Sequence, residues 1–486
     1  MNRRIQPWLV CALASVLAYA VAAAQGQQPT QSSTYADTGY SMAGDRYATP
    51  TAQGQFVSEN AVADDTGLAK RVAELEAALK KIDDKAKEDK KKADGAMTAT
   101  VGGRIHLDTA SYHQDAIDRA RYNEQDGTEF RTARIAVYGG GFNVIKYQIE
   151  YDFASVASSS TFDPVSEAVS TKTRLRCKDT YIMITSLPLI QNVEVGHFKE
   201  PYSLDELTSD NYITFMERNI TSDVLAPKRH FGIMAFGNSE DERMTAAIGA
   251  FDEYDDEGNV VQADNLGGAL TMRATYLPWY DEATEGRGLI HTGVSYSFRD
   301  PYKDQFTLKY RPDSHLAKEN SLTLLDVSER DEIGAEMAMV YGPLSVQSEY
   351  YVSYIDRTAH DDGMAQGAYA YVSYFLTGEN RPYDRKKGVF GRVKPYENFF
   401  RVRDQSQNVY TGRGAWELKY RYSWFDGYDN GDLGWQTCHD QTFGVNWYLN
   451  PYTRLMAEYV HCGINQNKGA GSGSLDIYQM RFQIDF

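Results

Sequence analysis

Residues 478–486 read YQMRFQIDF, with Tyr478, Met480, Phe482, Ile484 and Phe486 alternating with Gln479, Arg481, Gln483 and Asp485. A period of two is that of a β-strand with one apolar and one polar face. The ends of a chain are ordinarily frayed and polar, so a pattern this regular needs a partner for its apolar side. Either that side packs on a second sheet, or it faces lipid while the polar side lines water.

Composition narrows the choice. Of the 486 residues, 35 are tyrosine and 13% are aromatic, more than a water-soluble core requires. Mean hydropathy is −0.53, so beyond the N-terminus there is no room for a spanning helix of about 20 apolar residues. A transmembrane β-barrel gives the same hydrophilic profile, because its water-facing residues interrupt every apolar run.

The first 24 residues, MNRRIQPWLVCALASVLAYAVAAA, combine a basic start, an apolar stretch from Trp8 and a small-residue end at Ala22–Ala24. That is the pattern of a secretory signal peptide, with an uncleaved anchor as the alternative. Its loss removes Arg3 and Arg4 and takes the net charge from −17 to −19, too acidic for nucleic-acid binding through bulk electrostatics. Residues 25–64 have the composition of a flexible linker. In 65–93, Leu68, Val72, Leu75, Leu79, Ile82 and Ala86 follow the alternating 4,3 spacing of a short coiled coil, which permits a trimer; a solvated amphipathic helix fits as well.

From residue 94 onward the expectation is an all-β transmembrane antiparallel barrel. RIAVYGGGFNVIKYQIEYDF (134–153) reads as a hairpin; TYIMITSLPLIQNVEVGHF (180–198) turns at Leu187-Pro188 and EMAMVYGPLSVQSEYYVSY (336–354) at Gly342-Pro343. FGVNWYLNPYTRLMAEYV (443–460) turns at Asn450-Pro451. Longer polar stretches, such as 252–265 and 301–321, read as external loops, which puts short turns at one end of the barrel and long loops at the other. At about ten residues per strand plus connectors, 97–486 holds about 16 strands. A soluble sandwich would also alternate, but it rarely reaches this size and has no need of aromatic girdles.

Residues 194–234 break the alternation. EVGHFKEPYSLDELTSDNYITFMERNITSDVLAPKRHFGIM contains Pro201, Leu204, Leu207, Ile213, Phe215 and Met216, too apolar for a solvated loop. In a wide barrel such a loop (about 199–230) packs inward and narrows the lumen. This stretch resembles the constriction loop of the phosphate-selective porin O and P family. The resemblance continues through GGRIHLD (102–108), FRTARIAVYGG (130–140), LTGENRPY and VKPYENF (376–399) and FGVNWYLN (443–450). It implies a 16-stranded homotrimeric channel in the cell outer membrane, bathed in lipid, passing inorganic anions or other small solutes, with a periplasmic N-terminal segment and no cofactor.

The resemblance also places wall or constriction arginines at Arg104, Arg131, Arg218 and Arg299, with a looser match at Arg311. Arginine suits phosphate through its permanent charge and planar fork of donors; an ordinary lumen residue paired with an acid is the alternative for each. Two departures stand out: Thr132 where phosphate-selective members have a second arginine, and Asn211 where they have lysine. The loop also carries Glu200, Asp205, Glu206, Asp210 and Glu217, which argues against strict phosphate selectivity and leaves a general or cation-tolerant porin as an alternative. A structural protein tethered to the cell wall through its N-terminal region is a further one. An enzyme is not expected, since neither a GxSxG elbow nor an HExxH helix occurs.

Beyond the signal, Cys177, Cys438 and Cys462 show no metal-binding spacing. A turn centred on Asn450 sets Cys438 opposite Cys462 and His439 opposite His461, the arrangement of a cross-strand disulfide; two separate thiols fit equally.

Overall fold

A computed structural model describes residues 96–486, except 155–159, 164–167, 172–174, 255–265, 404–407, 428, 430–432 and 467–470. The expected signal peptide, linker and coiled coil (1–24, 25–64 and 65–93) lie outside the described residues.

Sixteen antiparallel strands close into one barrel, each paired with its neighbours in sequence order. They are β1 (Thr98–Gln114), β2 (Gly127–Gly141), β3 (Ile145–Asp152), β4 (Arg176–Leu187), β5 (Gln191–Lys199), β6 (Arg229–Asn238), β7 (Met244–Phe251) and β8 (Gly268–Tyr280). The second half comprises β9 (Gly288–Asp300), β10 (Val327–Tyr341), β11 (Leu344–Arg357), β12 (Gly363–Phe375), β13 (Ala415–Asp426), β14 (Gln436–Asn450), β15 (Thr453–Gln466) and β16 (Gly471–Asp485). The four hairpins read from sequence are all present.

The inside-out distribution of polarity explains the alternation. Along β16, Tyr478 and Met480 are each 53% exposed on the outer surface, whereas Arg481 is 2% exposed inside. Phe130, Ile182, Ile233, Met337 and Phe443 continue the outer apolar band on other strands. Apolar outside and charged inside is the pattern lipid imposes on a barrel. Among the described residues, no helix is long and apolar enough to cross a membrane.

The last strand closes on the first, with Arg104 opposite Asp485 and Asp108 opposite Arg481. The seam runs on through reciprocal backbone bonds between Gly103 and Phe486. A Cβ on Gly103 would lie 2.6 Å from the Arg134 carbonyl and 2.7 Å from the Phe486 ring, so the close approach there requires glycine.

Three readings need correction. Residues 301–321 are not a solvated external loop. Gln305–Tyr310 and Asn320–Leu325 form a ribbon whose Leu308, Tyr310 and Leu324 are buried among Val460, Ile464 and Ile477 of the wall. Nor are all connections at the short-turn end short: residues 376–414, between β12 and β13, form a long excursion there. Finally, the hairpin β14–β15 turns through Pro451-Tyr452, and an irregularity between Tyr448 and Asn450 shifts the register. Cys438 therefore opposes Ile464, Asp440 opposes Cys462, and His439 opposes Gly463 rather than His461. The two cysteines are diagonal neighbours, a relation that sets Cα atoms about 7–8 Å apart, beyond disulfide reach. Both thiols are free, and the Cys462 sulfur lies 2.8 Å from the Tyr310 hydroxyl.

Candidate functional site: the constriction

Residues 200–228 leave the wall after β5 and return at β6, carrying short helices at Leu204–Leu207 and Ile220–Leu225. Each helix starts on a side-chain cap: Ser203 accepts from the Glu206 amide at 3.0 Å and Asn219 from the Ser222 amide at 2.9 Å. Tyr202, Leu204, Phe215, Met216 and Ile220 are buried, which is why the stretch is too apolar for a solvated loop.

An irregular segment inside a barrel must find partners for its backbone polar groups. The last four strands supply them. Gln483 donates to the Asn211 carbonyl (3.1 Å), Arg454 to Ile213 (2.8 Å), and Lys419 and Asn446 to Thr214 (2.9 and 2.8 Å). Arg481 donates to the Met216 carbonyl, Arg421 to Glu217 (3.0 Å), and the Met216 amide donates to Glu458 (2.7 Å). On another sector, Glu349 of β11 accepts from the amides of Leu204 (3.0 Å) and Asp205 (2.8 Å) and from the hydroxyls of Tyr351 and Tyr369.

The loop's acidic side chains meet wall cations. Asp210 joins Arg104 and lies 3.0 Å from Arg134. Glu217 takes a forked pair from Arg131 (2.8 and 2.9 Å) and a third contact from Arg481 (2.6 Å). Glu206 lies 3.0 Å from Arg218, 3.2 Å from Lys199 and 3.6 Å from Lys228. Burial alone would raise these carboxyl pKa values, but the adjacent cations dominate. Arg218, Lys199 and Lys228 bring Glu206 down to about 2, while Asp210 and Glu217 stand well below the ordinary carboxylate range. All three are anions at any physiological pH.

With the closed barrel, its inward loop and its lining of arginines established, the sequence comparison is decisive: residues 100–486 match the family described as phosphate-selective porin O and P. The chain belongs to that family. It is an outer-membrane porin, whose family and fold are those of a channel. Porin O of Pseudomonas aeruginosa is 27% identical over 431 residues, covering 81% of this chain and 89% of that protein. An uncharacterized protein of Caulobacter vibrioides is 26% identical over 381 residues, 74% of this chain and 69% of its own length. Among solved structures, an anion-selective porin from Comamonas acidovorans aligns with TM-score 0.46 at 13% identity, covering 80% of this chain and all of that one. The trimer form of OmpT from Vibrio cholerae aligns with TM-score 0.48 at 10% identity, with the same coverage.

The five arginines read from sequence occupy this porin as follows. Arg104 bonds Asp210 and lies 3.1 Å from Glu150. Arg131 holds Glu217. It sits at a bulge, since His106 pairs with Thr132 and Leu107 with Phe130, which leaves Arg131 unopposed and free to turn inward. Arg218 folds back on the loop's own carbonyls, Asp205 at 3.1 Å and Glu206 and Thr208 at 3.0 Å. Arg299 binds Glu200 (2.9 Å) and Glu253 at the far side of the loop's root. Arg311 lies apart on the inward ribbon connection, 3.3 Å from Glu319. Arg104, Arg131 and Arg218 thus hold acidic residues along the constriction loop, Arg299 holds its root at Glu200, and Arg311 pairs with Glu319 outside it. Arg134, Arg229 and Arg481 join the first three; the signal was available for Arg134 and Arg481, each on the polar face of an alternating strand, but not for Arg229, which shares its parity with the outward Phe231 and Ile233.

A second segment narrows the opposite mouth. Within 376–399, Gly388 accepts from Arg273 of β8 at 2.8 Å and the Tyr383 hydroxyl lies 2.6 Å from His291 of β9. Arg392 reaches across to Asp485 and the Pro451 carbonyl. It also stands 5.1 Å from the ring of Tyr212 on the constriction loop and 4.7 Å from that of Tyr452. The segment therefore bridges β8–β9 to the β14–β16 sector.

Proposed function

We propose that this porin passes small inorganic anions, phosphate among them, by passive diffusion past the constriction. The observation that carries the reading is the convergence of Arg104, Arg131, Arg134, Arg218 and Arg229 around the constriction loop. Four of the five keep 13–25% of their side chains exposed. Permanently charged forks at a narrow point raise the local anion concentration. The family's description supports phosphate as a solute. The outer apolar band supports contact with outer-membrane lipid, and the N-terminal pattern supports export through a signal peptide and a periplasmic coiled coil at 65–93. Assembly as a homotrimer belongs to the same reading.

Reversal potential in planar bilayers under a KCl gradient tests it. Anion preference is expected, reduced in Arg104→Ala and Arg131→Ala; cation preference in the unaltered protein would overturn it. One observation favours a second reading: every arginine predicted from sequence is paired with a carboxylate, which suits a weakly selective porin. A permeability ratio near one would select that reading.

A further inference from the structure

Glu217 stands apart from the other carboxylates of the loop. It is carried at the end of a segment whose carbonyls at Ile213, Thr214 and Met216 are fastened to the wall. Its carboxylate fills a fork formed by Arg131 and Arg481, the first at 2.8 and 2.9 Å, the second at 2.6 Å. Two guanidinium planes converging on one carboxylate is the geometry with which proteins bind free carboxylate or phosphate. Asp108 takes the other edge of Arg481, at 2.7 and 2.6 Å. Among the groups in direct contact, two cations and two anions balance here, one of the anions belonging to the loop; Glu129, bonded to His315 at 2.7 Å, is the next carboxylate beyond Arg131.

We propose that Glu217 is a tethered counter-anion occupying the anion seat of the constriction, so that solute anions pass without being held. This rests on the anion-passing reading and specifies how that site treats its solute. A carboxylate anchored by its own backbone has an effective concentration that a dissolved ion does not match. The neighbouring fork behaves differently. Arg104 and Arg134 hold Asp210, but Glu150 lies 3.1 Å from Arg104 and Asp152 lies 2.9 Å from Arg134. Removing Asp210 leaves that pair neutralised, whereas removing the Glu217 charge leaves one net positive charge on a vacant fork.

The test is single-channel chloride current titrated with inorganic phosphate, for the full-length porin and for Glu217→Gln. In the unaltered porin, conductance should rise linearly with KCl. In Glu217→Gln it should saturate, with half-block by phosphate at a concentration about tenfold lower, as one additional charge-assisted hydrogen bond to the solute implies. Glu217→Asp keeps the charge, shortens the reach and should give an intermediate value. Asp210→Asn should shift the half-block less than Glu217→Gln, and Arg131→Ala added to Glu217→Gln should abolish the effect. Equal phosphate sensitivity in the unaltered porin, Glu217→Gln and Glu217→Asp would overturn the proposal, as would a larger shift from Asp210→Asn. Reversal potentials from the same bilayers separate the two failures: cation preference sinks the anion-passing reading, whereas anion preference with unchanged block sinks only the seat.

Discussion

Glu206 has three cations within 4 Å and a carboxyl pKa near 2, against 4.5 for an ordinary glutamate. A depressed carboxyl pKa stabilises the fold above the ordinary value, and the contribution is lost as pH falls toward the folded one. The constriction loop should therefore loosen as pH falls from 4.5 toward 2. Single-channel current noise would report this, with Glu206→Gln already noisy at pH 7; a flat noise profile down to pH 2 would contradict it. At this scale the sequence was partly legible. Arg104 and Arg131 declared themselves through motifs, but their partners did not, because Asp210 and Glu217 reach them across more than 80 residues of chain. The inward turn of Arg131 depends on a bulge that shifts strand parity, which alternation alone does not reveal.

Among the elements, the constriction loop depends on one wall residue more than on its own helices, each too short to be stable alone. Glu349, 2% exposed, accepts from two loop amides and two tyrosine hydroxyls. Glu349→Leu leaves those donors buried without that acceptor and should destabilise the folded barrel by about 2–5 kcal/mol. This is measurable as a lower temperature for loss of the heat-resistant band on gels; an unchanged temperature would refute the anchoring role. The loop's inward course was readable because Leu204, Phe215 and Met216 are too apolar for water. The ribbon at 305–325 was missed because its buried residues, Leu308, Tyr310 and Leu324, are separated by charged ones such as Lys309 and Arg311. The cysteine register was misplaced by two because the turn falls at Pro451-Tyr452 instead of on Asn450, a displacement of three that the bulge near Tyr448 reduces by one. Alkylation of the unreduced, denatured porin should accordingly label both Cys438 and Cys462.

For the molecule as a whole, the outer surface is a solvent boundary with strict chemistry. Phe482, 42% exposed on that surface, should tolerate leucine, whereas Phe482→Arg would cost about 2–4 kcal/mol if it stands near the bilayer midplane. Denaturant refolding into lipid vesicles would measure the difference, and equal stabilities would argue that this face is shielded from lipid. About sixteen strands followed from the length of the alternating region, and the polarity of the last one from its period of two. The bridging segment at 376–399 did not, since nothing in its sequence says that it crosses the mouth. The seam carries a kinetic consequence. Arg481 and Asp108 meet across 373 positions of chain, and no contact between β1 and β16 can form until almost everything between them has been made and delivered. Ring closure of that span has a high entropic barrier and a high contact order. Substitutions at Arg481 or Asp108 should therefore slow the final closing step and lengthen the time the open sheet must be chaperoned.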